Sequence, residues 1–401
     1  MSVAPTAWLR PPRLRTDLRE AGERHATWYE LYFDLVFVAA VSQLATALSR
    51  EPTLDGFLRF AGLFVPIMWA WAGFSFYANR FEADDVAYRL VKAAAMLAIA
   101  ALAVSVQSVM RGGQGSVAFA LSYVVTRTCL LALYARARLY ATGPGRRMID
   151  VYLTGFSVGV LLWLVSIAVP GPARYWLWAA ALVVELGAAP SLGWRALGGA
   201  AVNAPHITER FGQFFIIVLG ESVVAVVAGI PGTHFSAATS VVAIAGFVIA
   251  LCLWWIYFDL ADTSVVGRGL VGLVYVYAHF PLLAGVAAIG AGMRLAITHA
   301  GAAALGPGAR WAIGGGLACY LLSLALLHIG AEWSSLRDRA FLGRLSTAAL
   351  AVGLAAGAGG LSPALFVAIL AAALVAQLIL ELMTYPVGAA SVWTPPAQDA
   401  P

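Results

Sequence analysis

Hydrophobic residues arrive in long blocks, and polar residues fall between the blocks rather than alternating with them. An apolar helix needs about 20 residues to cross the hydrocarbon core of a bilayer. Blocks of that size stand at 28–48, 57–77, 90–110, 117–135, 148–169, 175–194, 211–230, 237–258, 270–290, 311–329, 344–361 and 363–385. The breaks between them, such as "SREPTLD", "RGGQGS", "TGPGRR", "PGPAR", "IPGTH" and "LGPGAR", are short and made of Pro, Gly and Arg. Loops of that kind turn a chain but hold no folded domain. The pattern predicts an all-α, polytopic integral membrane bundle of about 12 transmembrane helices. Between the last two blocks, "GLAAGAGGLSP" reads either as a tight turn or as part of a broken helix.

Composition closes off the soluble alternative. Hydrophobic residues are 61% of the 401, charged residues 11%, and mean hydropathy is +0.84. A soluble domain runs at about 45–50% apolar and about 25% charged, so this chain cannot cover a water-exposed surface of its size. Disorder, disulfide scaffolds and nucleic-acid binding are excluded with it, and the bilayer becomes the expected partner.

The net charge of +5 says less than its distribution. With the N-terminus placed in the cytoplasm, the cytoplasmic segments carry eighteen basic side chains and the outer loops six, with Arg127 inside a span. This obeys the positive-inside rule and predicts a multi-pass protein of the cell inner membrane with both termini cytoplasmic. Residues 1–27 have five Arg and no apolar core, so they read as a cytoplasmic polar tail rather than a cleavable signal. Residues 386–401 read as a second cytoplasmic polar tail. Cys129, Cys252 and Cys319 lie in apolar runs without CxxC spacing, which suggests buried small hydrophobes rather than redox or metal ligands.

The chain carries an echo of itself. "YELYFDLVFVAAVSQL" and "TERFGQFFIIVLGESV" align at an offset of 179, matching Glu30 with Glu209 and Asp34 with Gln213. "FYANRFEADD" and "IYFDLADTS" align at 180, matching Tyr77 with Tyr257, Asn79 with Asp259 and Glu82 with Asp262. This spacing predicts two six-helix repeats, 28–205 and 206–385. An even number of spans per repeat gives both the same orientation, a parallel 6+6 arrangement.

Polar side chains inside the blocks are the remaining chemical clue, because a charge at bilayer depth costs about 2.5–3.5 kcal/mol and is paired or functional. Glu30 and Asp34 stand four residues apart, about 40° around one helix face. Two carboxylates so placed need a cation or a proton between them. They form a candidate ion or substrate pathway, or else a salt-bridge cluster with Arg80, Asp84, Asp85 and Arg89. Glu209 lies at the start of the seventh block and Glu221 within it, Asp259 and Asp262 at the end of the eighth, and His279 in the ninth, with Pro281 two residues on. Glu221 and His279 sit at similar depth, where a Glu–His pair could relay protons or simply fix packing. Arg127 and Glu185 are both mid-span and read as a structural ion pair. His328, Glu332 and Glu381 are expected to be solvated near helix ends, and the GxxxG pair Gly155 and Gly159 to serve packing.

There is no P-loop, no HExxH and no GxSxG, and no catalytic or cofactor constellation is read, so the expectation is not an enzyme. The blocks "WYELYFDLVFVAAVSQL", "FYANRFEADD", "ERFGQFFIIVLGESV", "WWIYFDLAD" and "YAHFPLLAG", in this order, resemble the bacterial low temperature requirement A (LtrA) family from about residue 25 to 385. The resemblance implies a bacterial integral membrane protein whose molecular activity is not established. It marks Glu30, Asp34, Asn79, Arg80, Asp84, Glu209, Arg210, Glu221, Ser222, Tyr257, Asp259, His279 and Pro281 as family-typical. One shorter stretch, "YFDLVFVAAVSQL", is similar to the first helix of the six-span potassium channels of the transmembrane protein 175 type. The function expected is a secondary transporter, in one version proton-coupled, of a small solute or ion. An ion channel, or a structural or envelope-maintenance role, stands as the alternative. Self-association into a homo-oligomer is left open.

Overall fold

The computed structural model describes residues 8–14, 26–113, 115–188, 203–229, 236–260, 269–331 and 338–384. Among them run twelve helices: α1 (Trp28–Arg50), α2 (Leu54–Arg80), α3 (Val86–Met110), α4 (Ser116–Arg138), α5 (Gly143–Ala168), α6 (Ala173–Val183), α7 (Ala204–Gly229), α8 (Ala237–Leu260), α9 (Gly269–Thr298), α10 (Pro307–Ala331), α11 (Arg339–Gly357) and α12 (Pro363–Thr384). Eleven of the twelve are long and apolar enough to cross a membrane. The exception is α6, which continues as a π-helical turn, Val184–Ala188. The rest of the expected sixth span, 189–194, lies outside the described residues, as do Asp262 and Glu332. "GLAAGAGGLSP" resolves as a turn between α11 and α12.

Several of the helices start where a side-chain oxygen just ahead of or at the first turn meets an otherwise unpaired N–H group. At α1, Thr27 and Glu30 cap reciprocally. The Thr27 N–H donates to Glu30 Oε2 at 2.9 Å, and the Glu30 N–H to Thr27 Oγ1 at 3.2 Å. Thr53 Oγ1 accepts from the Gly56 N–H at 3.1 Å ahead of α2, and Asp85 Oδ1 from the Tyr88 N–H at 2.8 Å ahead of α3. Asn203 Oδ1 does the same for the His206 N–H at 3.1 Å ahead of α7, and Ser236 Oγ for the Thr239 N–H at 3.2 Å ahead of α8.

The first residues do more than trail in solvent. Arg13–Leu14 form a two-residue strand, β1, antiparallel to β2, Phe81–Glu82, directly after α2. The Arg10 N–H donates to Asp85 Oδ2 at 2.6 Å, and Arg136 Nη2 to the Arg10 carbonyl at 2.5 Å. The tail expected from charge alone therefore includes a docked segment, held by backbone groups that the charge count does not see.

Helix contacts divide the chain into two compact units: Met1–Leu44 with Gly62–Arg210, and Ala45–Ala61 with Phe211–Pro401. In the first, α3 lies on α4, α4 on α5, and α5 on α6. In the second, α9 lies on α10, α10 on α11, α11 on α12, and α12 on α8. The first unit keeps the start of α7, so Glu209 and Arg210 belong with Glu30 and Asp34.

Candidate functional site

Three polar stripes meet in the first unit. On α1 the stripe is Glu30 and Asp34. On α2 it is Trp71, Ser75 and Asn79, each four residues from the next, and on α7 it is His206 and Arg210. A four-residue step keeps side chains on one helical face. All of these are buried; Asp34 is 0% exposed and Arg210 1%.

The contacts form two tiers. In one, Asp34 Oδ1 accepts from Arg210 Nη2 at 2.5 Å and from the Trp71 indole N–H at 2.7 Å. Ser75 Oγ lies 3.4 Å from the same Arg210 nitrogen. One helical turn toward the start of α1, the Asn79 amide donates to the Asn203 carbonyl at 2.8 Å and to His206 Nδ1 at 3.2 Å. With Nδ1 accepting, the His206 proton sits on Nε2, which faces Glu30 Oε2 at 3.6 Å. Glu209 closes this end by accepting the Ala26 N–H at 3.2 Å. A further cation stands beside α1: the Lys92 ammonium is buried among the rings of Phe33, Tyr29 and Tyr88, at 4.3, 5.1 and 5.4 Å. Aromatic faces hold a desolvated cation in this way.

Pairing in the Asp34 tier is incomplete. Asp34 Oδ2 and Arg210 Nε and Nη1 are buried without a hydrogen-bond partner among the described residues. A buried polar atom left unmade costs about 1–3 kcal/mol. The pair between Arg344 and Glu381 in the second unit shows the opposite pattern. Arg344 Nε and Nη2 take both Glu381 oxygens at 2.9 and 2.6 Å, and Gln377 donates to Oε1 at 2.7 Å. Glu381, expected to be solvated near a helix end, is 0% exposed, because Arg344 neutralises it and α11 and α12 enclose both.

The other expected residues fall as follows. Arg127 and Glu185 pair at 2.6 Å with both side chains fully buried, and Tyr123 donates to Glu185 at 3.0 Å. Arg127 rests 4.3 Å from the Phe156 ring centroid. Gly159 and Gly73 make room for this pair, since a Cβ at Gly159 would strike the Glu185 carboxylate and one at Gly73 would lie 2.7 Å from Arg127 Nη1. The expected cluster around Arg80 comes apart. Asp84 pairs with Arg89 at 2.9 Å on the surface, and Asp85 with Arg136. Arg80 meets no carboxylate among the described residues. It donates to the Tyr152 hydroxyl at 2.5 Å and lies over that ring, because it is buried among aromatic side chains while Asp84 and Asp85 lie past the helix end.

In the second unit, His279 is fully buried, but Glu221 does not hold it. Nδ1–H donates to the Tyr275 carbonyl at 2.6 Å, and Nε2 meets the Tyr257 hydroxyl at 2.8 Å. Glu221 is half-buried on α7 and Asp259 half-buried at the end of α8. Ser222 donates to the Val286 carbonyl at 2.9 Å. Of the cysteines, Cys252 is buried, Cys129 half-buried and Cys319 exposed.

Sequence reasoning named Glu30 and Asp34 and missed their partners. Arg210 counts among the cytoplasmic basic residues and His206 is not singled out by the sequence, yet their four-residue spacing matches that of Glu30 and Asp34. The sequence model of the family described as Bacterial low temperature requirement A protein (LtrA) matches residues 25–380. An uncharacterized protein of Rhizobium meliloti (strain 1021) is 26% identical over 310 residues, which cover 73% of each chain. No solved structure matches.

Proposed function

We propose, for a chain that belongs to the bacterial low temperature requirement A family, that it is a proton-coupled secondary transporter of a small solute or ion, with Asp34 and Arg210 at its coupling site. The observation that carries this reading is a half-made pair, a buried carboxylate and guanidinium with three polar atoms unmatched, at the meeting of polar stripes from α1, α2 and α7. The Arg344–Glu381 pair is saturated, and the Arg127–Glu185 pair, which also leaves atoms unmatched, is packed among the rings of Trp69, Tyr123 and Phe156. An unsaturated pair among polar stripes leaves acceptor and donor capacity for a transported species.

The chemistry follows from the groups present. Protonation of Asp34 removes its charge and loosens its hold on Arg210. The freed guanidinium then attracts an anion, or the vacated pocket admits a solute. Loss of the proton restores the pair. Glu30, beside the Nε2–H of His206 one turn away, offers the next proton acceptor along α1. Glu209, at the start of α7 in the same unit, is a further candidate pathway residue. The structure closed around Asp34 fits a gated site better than an open pore.

The test is flux in proteoliposomes under an imposed pH gradient, with an internal pH dye and a panel of small solutes and ions. The wild-type protein is expected to move protons with one class of solute. Asp34→Asn is expected to reduce that coupled flux at least tenfold, and Asp34→Glu, which keeps the charge opposite Arg210, to retain part of it. Equal flux in Asp34→Asn, or current across a planar bilayer without any gradient coupling, overturns the proposal.

A further inference from the structure

We propose that the groove between α11 and α12 is a binding site for an anionic phospholipid, with one acyl chain lying in the groove and the phosphate at Arg339. The groove is open-sided and encloses about 550 Å³, within the range of about 300–1,000 Å³ typical of small-molecule sites. One wall is the α11 stripe Arg339, Leu342, Ser346 and Leu350; the other includes Ala376 and Leu380 of α12. Gly343 and Ala373 keep it deep by presenting almost no side chain.

Its floor offers a ligand no free hydrogen-bond donor from Gln377, Thr347 or Ser346. Gln377 donates to Glu381 Oε1 at 2.7 Å and to the Ala340 carbonyl at 3.3 Å, and its oxygen accepts from Thr347 at 3.3 Å. Ser346 donates to the Leu342 carbonyl of its own helix at 2.8 Å. The groove therefore presents hydrocarbon along its length and charge at one end only.

That charge is Arg339, exposed and in no ion pair or hydrogen bond among the described residues. Arg344, five residues on, is by contrast locked to Glu381. The neighbouring Asp338 is occupied: it caps α11 through the Ala340 N–H at 3.4 Å and faces His328 at 3.5 Å. Arg339 also stands in the first turn of α11, where the N–H groups of a helix favour an anion. An apolar trough ending in a lone guanidinium complements a lipid with a negative headgroup. Basic sites between transmembrane helices at a headgroup level recognise such lipids.

The experiment is native mass spectrometry of the full chain released from nanodiscs of phosphatidylcholine containing phosphatidylglycerol. The wild-type protein is expected to retain phosphatidylglycerol over phosphatidylcholine. Arg339→Gln is expected to reduce that preference about fivefold. Ala376→Trp, which fills the groove from an exposed position, is expected to lower retention of both lipids. Inorganic phosphate added at matching concentration is expected not to displace the retained lipid. Undiminished phosphatidylglycerol preference in Arg339→Gln, unchanged retention in Ala376→Trp, or a dimer that Ala376→Trp dissolves, would each overturn the assignment, the last by giving the groove to a second copy of this chain.

Discussion

Among the described residues, three sets of buried charges meet the cost of leaving water in three different ways. Arg127 and Glu185 pair in full burial, Arg344 and Glu381 pair and saturate, and Lys92 is enclosed by rings. Removing one partner of a buried pair leaves a bare charge and costs about 3–5 kcal/mol, whereas replacing both by apolar groups is often close to neutral. Arg127→Met and Glu185→Leu are each expected to lower stability by that amount in detergent, and the double variant to recover most of it. Thermal melts of the four proteins in the cycle measure this, and additive losses would deny the coupling. The Arg127–Glu185 pair was legible in the sequence because two lone mid-span charges have few places to go. Glu381 was not, because nearness to a helix end suggests water, and its partner lies 37 residues away. Arg210 was hidden for a related reason: in a charge count it looks like one more cytoplasmic arginine.

Elements meet these charges with specific local devices. Glycine is the device at the Arg127–Glu185 pair, and the GxxxG reading of Gly155 and Gly159 was right about closeness but not about what approaches. Gly159 admits a carboxylate rather than a helix backbone. Gly159→Ala is expected to cost about 1–3 kcal/mol through overpacking, read as a lower melting temperature. Capping is the second device, and Asp85 carries it furthest. It lies ahead of α3, outside the span, and joins the N-terminal segment to Arg136. Burial alone would raise the pKa of its carboxyl, but hydrogen bonds from Arg136, the Tyr88 N–H and the Arg10 N–H hold it below the usual carboxylate range. A lowered folded pKa contributes stability that is complete above the unfolded value, about 3.9, and is lost as pH falls through the folded value. Amide hydrogen exchange in residues 8–14, corrected for intrinsic rate, is therefore expected to stay constant from pH 8 to pH 5 and to rise below about pH 4. Asp85→Asn is expected to raise exchange at neutral pH and flatten that dependence. The same rise in the wild-type protein near pH 6 would contradict this assignment.

At the scale of the whole molecule, hydropathy alone sufficed for the class of fold. Eleven of the twelve expected blocks correspond to helices of spanning length among the described residues, and the sixth to the shorter α6 with a π-helical turn at Val184–Ala188. Starts were less legible than middles, since the capping oxygens at Thr27, Thr53 and Asn203 precede the apolar blocks and leave no trace in their hydropathy. The division into units was the least legible, because it follows helix contacts rather than chain order. Residues Ala45–Ala61, early in the sequence, group with the second unit. Orientation remains a quantitative expectation from the basic-residue distribution. A reporter active only in the cytoplasm, fused after residue 401, is expected to be active, and one placed at the α3–α4 turn near Gly113 to be silent. The reverse result would invert the assignment of every loop.

The ring-enclosed ammonium of Lys92 has a practical consequence. It is the sole lysine in the chain, so a succinimide ester can acylate only this amine and the amino terminus. While Tyr29, Phe33 and Tyr88 surround the amine, acylation is slow. Any breathing between α1 and α3 would register as a mass increment at one defined peptide, a clock for the interior of the first unit that needs no engineered probe.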